Sequence, residues 1–264
     1  MIYEEVAPSP AFAPYIERFW AFSLEAHDPS SLDHVIVPDG TASLSITEPT
    51  GVAAIISLTG PALVAVHIVA HRGASYRGVR IRAGALRAFL GLDAVAVAGR
   101  RLILADLLPD LAGAMAARCT DLSSLSAFTA AFESLVPVPL IAPDAAVCGL
   151  ADALIASDGA VALHDIMDGF GVGARQLRRR FVTETGLTPK AFSRLRRVRR
   201  ACVDMIHRPD EGMAGISLDH GYADQPHLSR DVKAVFNMSP QMLTTYLRQI
   251  SHLNLFEMSD LFKP

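Results

Sequence analysis

A chain of 264 residues, 51% apolar and 19% charged, is long enough for two domains that each bury a core. No apolar run reaches the ~18 uncharged residues of a membrane span, and Glu4 and Glu5 at the start do not make a secretory leader. Three widely spaced cysteines, Cys119, Cys148 and Cys202, form neither a disulfide framework nor a zinc spacing, so a reducing cytoplasm is the expected location. The net charge of −3 hides an uneven distribution. Residues 1–150 hold 9 Lys or Arg against 14 Asp or Glu, and residues 151–264 hold 15 against 13. Within 171–208, 11 basic residues stand against Glu184 and Asp204 alone. A local basic patch on an otherwise acidic chain calls for an anionic partner, the alternative being a solvated helix face.

In chain order, residues 35–82 alternate with period two, as in Ser43-Leu44-Ser45-Ile46 and Val79-Arg80-Ile81-Arg82. Ala62–Val69 is a short apolar run, and Pro38-Asp39-Gly40 is a turn signal. The pattern predicts short antiparallel strands in a small barrel or sandwich. Residues 103–117 and 121–135 read as a helical pair, with Asp121 as N-cap of the second. The closely spaced prolines from Pro137 to Pro143 end that pattern and mark a domain boundary. From about residue 145 onward the chain reads as helical. Phe192, Leu195, Val198, Cys202, Met205 and Ile206 recur at three and four. They make one long helix that begins at Thr188-Pro189, an N-cap followed by proline at the first helical position.

The basic segment repeats at a shift of fifty-one residues. Asp168 meets Asp219, Leu177 meets Leu228, Arg179 meets Arg230, and Phe181 meets Val232. Gly186 meets Asn237, two residue types that tolerate the left-handed cap. Thr188-Pro189 meets Ser239-Pro240. A solvated charge run would not repeat its caps and its apolar pair in register; two copies of one supersecondary unit would. Each copy reads as helix, tight Gly-containing turn, helix, which is the DNA-binding layout. The joining helix, 189–206, spans roughly 27 Å at ~1.5 Å per residue. That is of the order of the ~34 Å between successive major grooves on one face of DNA.

The stretches RQLRRRFVTETGLTPKAF at 175–192 and ISLDHGYADQPHLSRDVKAVFNMSP at 216–240 carry a resemblance to the AraC family of bacterial transcription regulators, extending over residues 155–248. Val232-Lys233 stands where the family usually has Phe-Lys, and Asn237 where it has Gly. Pro226 lies in the first turn of the second reading helix, where a polar residue is common. The N-terminal half is similar to the cupin-like, β-rich sensor domains of some such regulators, on Phe19-Trp20, Val37-Pro38-Asp39-Gly40 and the Gly78–Gly84 stretch.

The fold expected is α+β in two domains. Residues 1–140 form a small antiparallel, cupin-like β barrel with a helical pair at about 103–135, for sensing or dimerisation. Residues 150–250 form an all-α domain of two helix-turn-helix units, at about 160–186 and 213–237, joined by the helix at 189–206. The function expected is sequence-specific binding of double-stranded promoter DNA. The resemblance implies control by a small-molecule effector, a homodimer, and contact with RNA polymerase if the protein activates.

Arg175, Arg178 and Arg179 are the leading base-contact candidates, because a guanidinium can donate twice to guanine O6 and N7. Gln225, His227 and Arg230 are their counterparts in the second unit. Arg180 is expected to turn toward the DNA backbone or solvent. Arg194, Arg197 and Lys233 are candidates for phosphate contact. With Pro226 in place, the first unit is expected to dominate base readout, the second contributing more through phosphates.

His34, His67 and His71 lack a complementary carboxylate, so no metal or other cofactor is expected. No nucleophile and base constellation and no phosphate-binding glycine loop is present, so the chain is not expected to be an enzyme. Two other readings remain: a cupin-type metal-dependent enzyme with a helical appendage, and a non-specific DNA-coating protein.

Overall fold

A computed structural model describes residues 1–251. Eight strands occupy the N-terminal half: β1 (Ile2–Val6), β2 (Ile16–Ser23), β3 (Ser31–Ile36), β4 (Ala42–Glu48), β5 (Ile55–Thr59), β6 (Val66–His71), β7 (Ser75–Ile81) and β8 (Arg101–Ile103). Six of them form one antiparallel sheet in the order β1-β2-β7-β4-β5-β8, and β3 pairs with β6 as a separate ribbon. The expected closed barrel is therefore an open sheet faced by a ribbon.

Strand alternation sorts the side chains onto two sheet faces. One carries Phe19, Leu44, Ile46, Val79 and Ile81, all buried. They pack with helices α1 (Leu86–Leu90), α2 (Ala94–Val97), α3 (Pro109–Arg118) and α4 (Leu125–Leu135), chiefly through Phe89, Val97, Met115, Phe128 and Phe132. The other face carries Trp20, Ser43, Ser45, Arg80 and Gly78. A Cβ on Gly78 would lie 2.4 Å from Trp20 Cζ2, so only glycine lets the indole lie across the sheet.

Two boundaries differ from the sequence reading. Residues 101–106 are strand and 3-10 turn; Ile103 pairs with Ser57, and the helix begins at Pro109. Proline suits the first helical position and keeps the preceding Leu108 out of the helical region. The second helix of the pair is capped by Ser124, whose Oγ accepts from the Ala127 amide at 3.1 Å. Asp121 instead has φ 53°, and its amide donates to Glu48 Oε1.

The C-terminal half is helical: α5 (Ala145–Ala156), α6 (Leu163–Ile166) with a 3-10 turn to Phe170, α7 (Ala174–Thr185), α8 (Pro189–His207), α9 (Gly212–Asp219), α10 (Gln225–Phe236) and α11 (Pro240–Ser251). One core joins α5, α7 and the start of α8 through Leu150, Leu154, Leu177, Phe181 and Phe192. A second core crosses between the halves, setting Phe22, Leu24, Val35 and Tyr76 of the strands with Val198, Cys202, Leu228, Val232 and Leu243 of the helices. The three cysteines are free and buried. Among the described residues, no helix is long and apolar enough to cross a membrane.

Candidate nucleic-acid interface

The two helix-turn-helix units are local structures, and their caps explain why. α7 and α10 cover 174–185 and 225–236, the fifty-one-residue shift of the sequence. Both end in a left-handed residue, Gly186 at φ 72° and Asn237 at φ 55°. The helices that follow are capped alike: Thr188 Oγ1 accepts from the Ala191 amide and Ser239 Oγ from the Met242 amide. Pro226 occupies the first turn of α10, whose N-cap is Asp224; a missing N–H costs no helical hydrogen bond there.

Leu177 and Phe181 are fully buried, as are Leu228 and Val232, so each reading helix is held by the expected apolar edge. Arg175, Arg178 and Arg179 point away from it. They are exposed at spacings of three and four, which places them on one side of α7. Among the described residues, no acidic group pairs with any of the three. Lys190, at the start of α8, is likewise exposed and unpaired.

Most of the other basic residues of α7 and α8 have partners within the protein. Arg180 turns inward and pairs with Asp144, its Nε donating to Oδ2 at 2.6 Å. Asp144 also caps α5, so Arg180 braces the start of the domain instead of facing the DNA backbone or solvent. Arg194 donates to Asp231 Oδ1 of α10 at 2.6 Å, and this bond holds its guanidinium charge firmly in place. Arg197 lies over the Tyr222 ring, 5.1 Å from its centroid. Arg200 reaches Asp158 and Asp204. Arg208 gathers Asp204, Glu211 and Asp219.

Arg196 and Arg199 are buried on the side of α8 that meets the sheet. Arg199 Nη1 donates to the Pro38 carbonyl at 2.8 Å. Beside it, Arg80 Nε lies 3.0 Å from Asp39 Oδ2, and Arg80 also reaches Glu5 and Glu17. Burial opposes the Asp39 charge, but Arg80, Arg199 and two hydrogen bonds from Thr41 hold its carboxyl below the usual range. Burial raises Glu17, and pulls Arg196 and Arg199 below the usual guanidinium range. This turn is the Pro38-Asp39-Gly40 signal of the sequence. Its role as the seat of α8 is tertiary: a Cβ on Gly40 would lie 2.7 Å from the Phe192 ring.

In the second unit Gln225 and Arg230 are exposed, and His227 is half-buried with its ring edge-on to Tyr222 at 5.1 Å. Arg230 Nε donates to the Pro226 carbonyl at 3.3 Å, and Lys233 is exposed. The histidines weighed as metal ligands do not all share one face of the ribbon. His34 is paired with Ile68, and His67 with Val35, so His34 and His67 stand on opposite faces of the ribbon. Three other donor atoms, on Glu25, His27 and Asp28, lie within 4.8 Å of one another in the turn after β2. Asp28 accepts there from the Glu25 amide.

Residues 166–245 match a helix-turn-helix domain model, and residues 4–102 match a domain of unknown function, DUF6597. No curated protein matches the chain. Among solved structures, ToxT from Vibrio cholerae O395 is 10% identical, with 87% of this chain and 96% of that chain covered and a TM-score of 0.42. Unsaturated fatty acid-bound ToxT from Vibrio cholerae strain SCE256 is 12% identical, over 91% and 93% of the chains, with a TM-score of 0.38. At that distance nothing about ligand or activity passes from those proteins to this one.

Proposed function

We propose, with residues 166–245 taken as a helix-turn-helix domain of the AraC type, that this DNA-binding regulator recognises a specific promoter sequence. One reading helix would enter each of two adjacent major grooves. The observation that carries the reading is the unpaired side of α7: Arg175, Arg178 and Arg179 stand exposed opposite the buried Leu177 and Phe181. In a region where Arg180, Arg194, Arg200 and Arg208 have found carboxylates, three exposed arginines on one side of α7 are available to bases and phosphates. Gln225, His227 and Arg230 would act in the second unit, and Lys190, Arg197 and Lys233 would touch phosphates. Arg194 would reach a phosphate only by giving up part of its bond to Asp231.

A small-molecule signal at the N-terminal domain would act through the seam between sheet and α8. Such a ligand shifts DNA affinity only by its differential affinity for two domain arrangements. A cleft of about 530 Å³ is one place where both halves meet, with Arg87 of α1, Ile141 and Asp144 of the connection, Phe170, and Arg180 and Glu184 of α7 around it.

The test is selection from a random duplex pool with the full-length protein, followed by sequencing of the bound fraction. Enrichment of two blocks about one helical turn apart is expected. Equal affinity for all sequences, with a steep loss as salt rises, would leave a non-specific binder instead.

A further inference from the structure

The exposed stripe of α10 runs through Pro226, Arg230, Lys233 and Asn237. Its C-terminal half is flanked by the N-terminal domain. The Ala65 amide donates to the Val235 carbonyl at 2.7 Å, and His67 Nε2 lies 3.3 Å from the Phe236 carbonyl oxygen. A carbonyl only accepts, so Nε2 carries the proton of that bond and Nδ1 is the free ring nitrogen. Between the two elements lies an open cleft of about 560 Å³, bordered by Val64, Ala65, His67, Arg230, Lys233 and Asn237. No carboxylate lines it. Along the ribbon, the exposed Asp33 stands opposite Val69, two residues from His67. Arg230 and Lys233 thus face a hollow with apolar walls and no counter-charge, beside an imidazole whose one N–H is engaged with the Phe236 carbonyl and the side-chain amide of Asn237, which can donate.

We infer that this cleft receives a phosphate of the DNA backbone, and that His67 of the N-terminal domain belongs to the DNA-binding surface. The inference rests on the DNA-binding reading above. Arg230 links the two features, because it lies on the reading stripe and also borders the cleft. A phosphate seated there would be held by Arg230 and Lys233 of the reading helix and by His67 of the β domain, whose Nε2–H would turn to it from the Phe236 carbonyl. DNA would then favour the docked arrangement of the halves, and a change in docking would change DNA affinity by the same factor. An anion between low-dielectric walls is attracted more strongly than one on an open surface.

The experiment compares full-length wild type, His67→Glu, His67→Ala and His71→Glu on one duplex over a series of salt concentrations. His71 is exposed on the same strand but outside the cleft. A carboxylate at 67 is expected to weaken binding roughly tenfold at low salt and to flatten the salt dependence, because fewer counterions are released. His67→Ala is expected to weaken binding a few-fold, and His71→Glu to leave it within about twofold. Equal behaviour of His67→Glu and His71→Glu would overturn the inference. So would tighter binding by His67→Ala, which would mean that this strand obstructs the DNA. Inorganic phosphate separates the remaining source: if it raises the melting temperature of wild type but not of His67→Glu, while DNA affinity is the same for both, the cleft takes a free anion. Phosphate contacts carry no sequence information, so the comparison can use any duplex that binds. Loss of sequence preference in wild type would therefore overturn the preceding proposal and leave this one to the variants.

Discussion

Individual side chains in this protein are decided by who their neighbours are. Arg178 and Arg180 are two residues apart on one helix, yet one is exposed and unpaired and the other is tied to Asp144. Replacing Arg175, Arg178 or Arg179 singly by Ala should cost about 1–3 kcal/mol of discrimination at one base position if the contact is bidentate. A phosphate contact would instead weaken all sequences alike and lower the salt slope by about one. Binding to a matched set of operator variants separates the two. His34 makes a second residue-scale prediction. It is buried, stacked on Phe22 at 4.9 Å, with Nδ1 3.4 Å from the Tyr246 hydroxyl, and burial lowers its pKa to about 4. A base depressed in the folded state takes up more protons when unfolded, so stability falls as pH drops below about 6.5 and goes on falling to about 4. Between pH 7 and 5 the loss should be about 2 kcal/mol. Melting temperatures of wild type and His34→Gln across that range check it: the slope should shrink in the variant.

At the scale of elements, the structure depends on how each helix stops. Gly186 ends α7 at φ 72°, and a Cβ there would also lie 2.7 Å from the Ala94 carbonyl of α2. Gly186→Ala meets both the left-handed penalty and a backbone clash, and should destabilise by more than about 1–2 kcal/mol. Asn237 occupies the same conformation without a clash, so Asn237→Gly should be neutral or slightly stabilising. Thermal melts of the two variants give the contrast. These caps were legible in advance because a cap is a contact within four or five residues. The start of α4 was not. Both Asp121 and Ser124 are good capping types, and the choice between them fell to Glu48, 73 residues away, which accepts from the Asp121 amide.

For the whole molecule, the controlling feature is the seam between sheet and α8. Arg80, Arg196 and Arg199 are balanced there by Asp39, Glu17 and Glu5. Asp39→Ala leaves Arg80 and Arg199 without their shared carboxylate. It should destabilise by roughly 3–5 kcal/mol, the cost of removing one partner from a buried ion pair. Limited proteolysis in the proline-rich connection at 136–143 should accelerate in step. An unchanged melt and cleavage rate would mean that the seam charges are screened by solvent and hold nothing. Because α8 also joins the two reading helices, loosening the seam is expected to alter the spacing at which they meet DNA.

The sequence by itself determined the division into a strand-rich and a helical half, the duplicated helix-turn-helix unit, its caps and its buried apolar edges. All of these depend on period two, period 3.6 or residues within one turn, and such signals are written locally. Only the tertiary structure decided which cations are free. The partners of Arg180, Arg194 and Arg199 lie 36, 37 and 161 residues away, and no spacing rule links residues so far apart. The same holds for the open sheet in place of a barrel, and for His67 beside α10. Closure and docking are settled by how whole surfaces fit, after the local elements have formed.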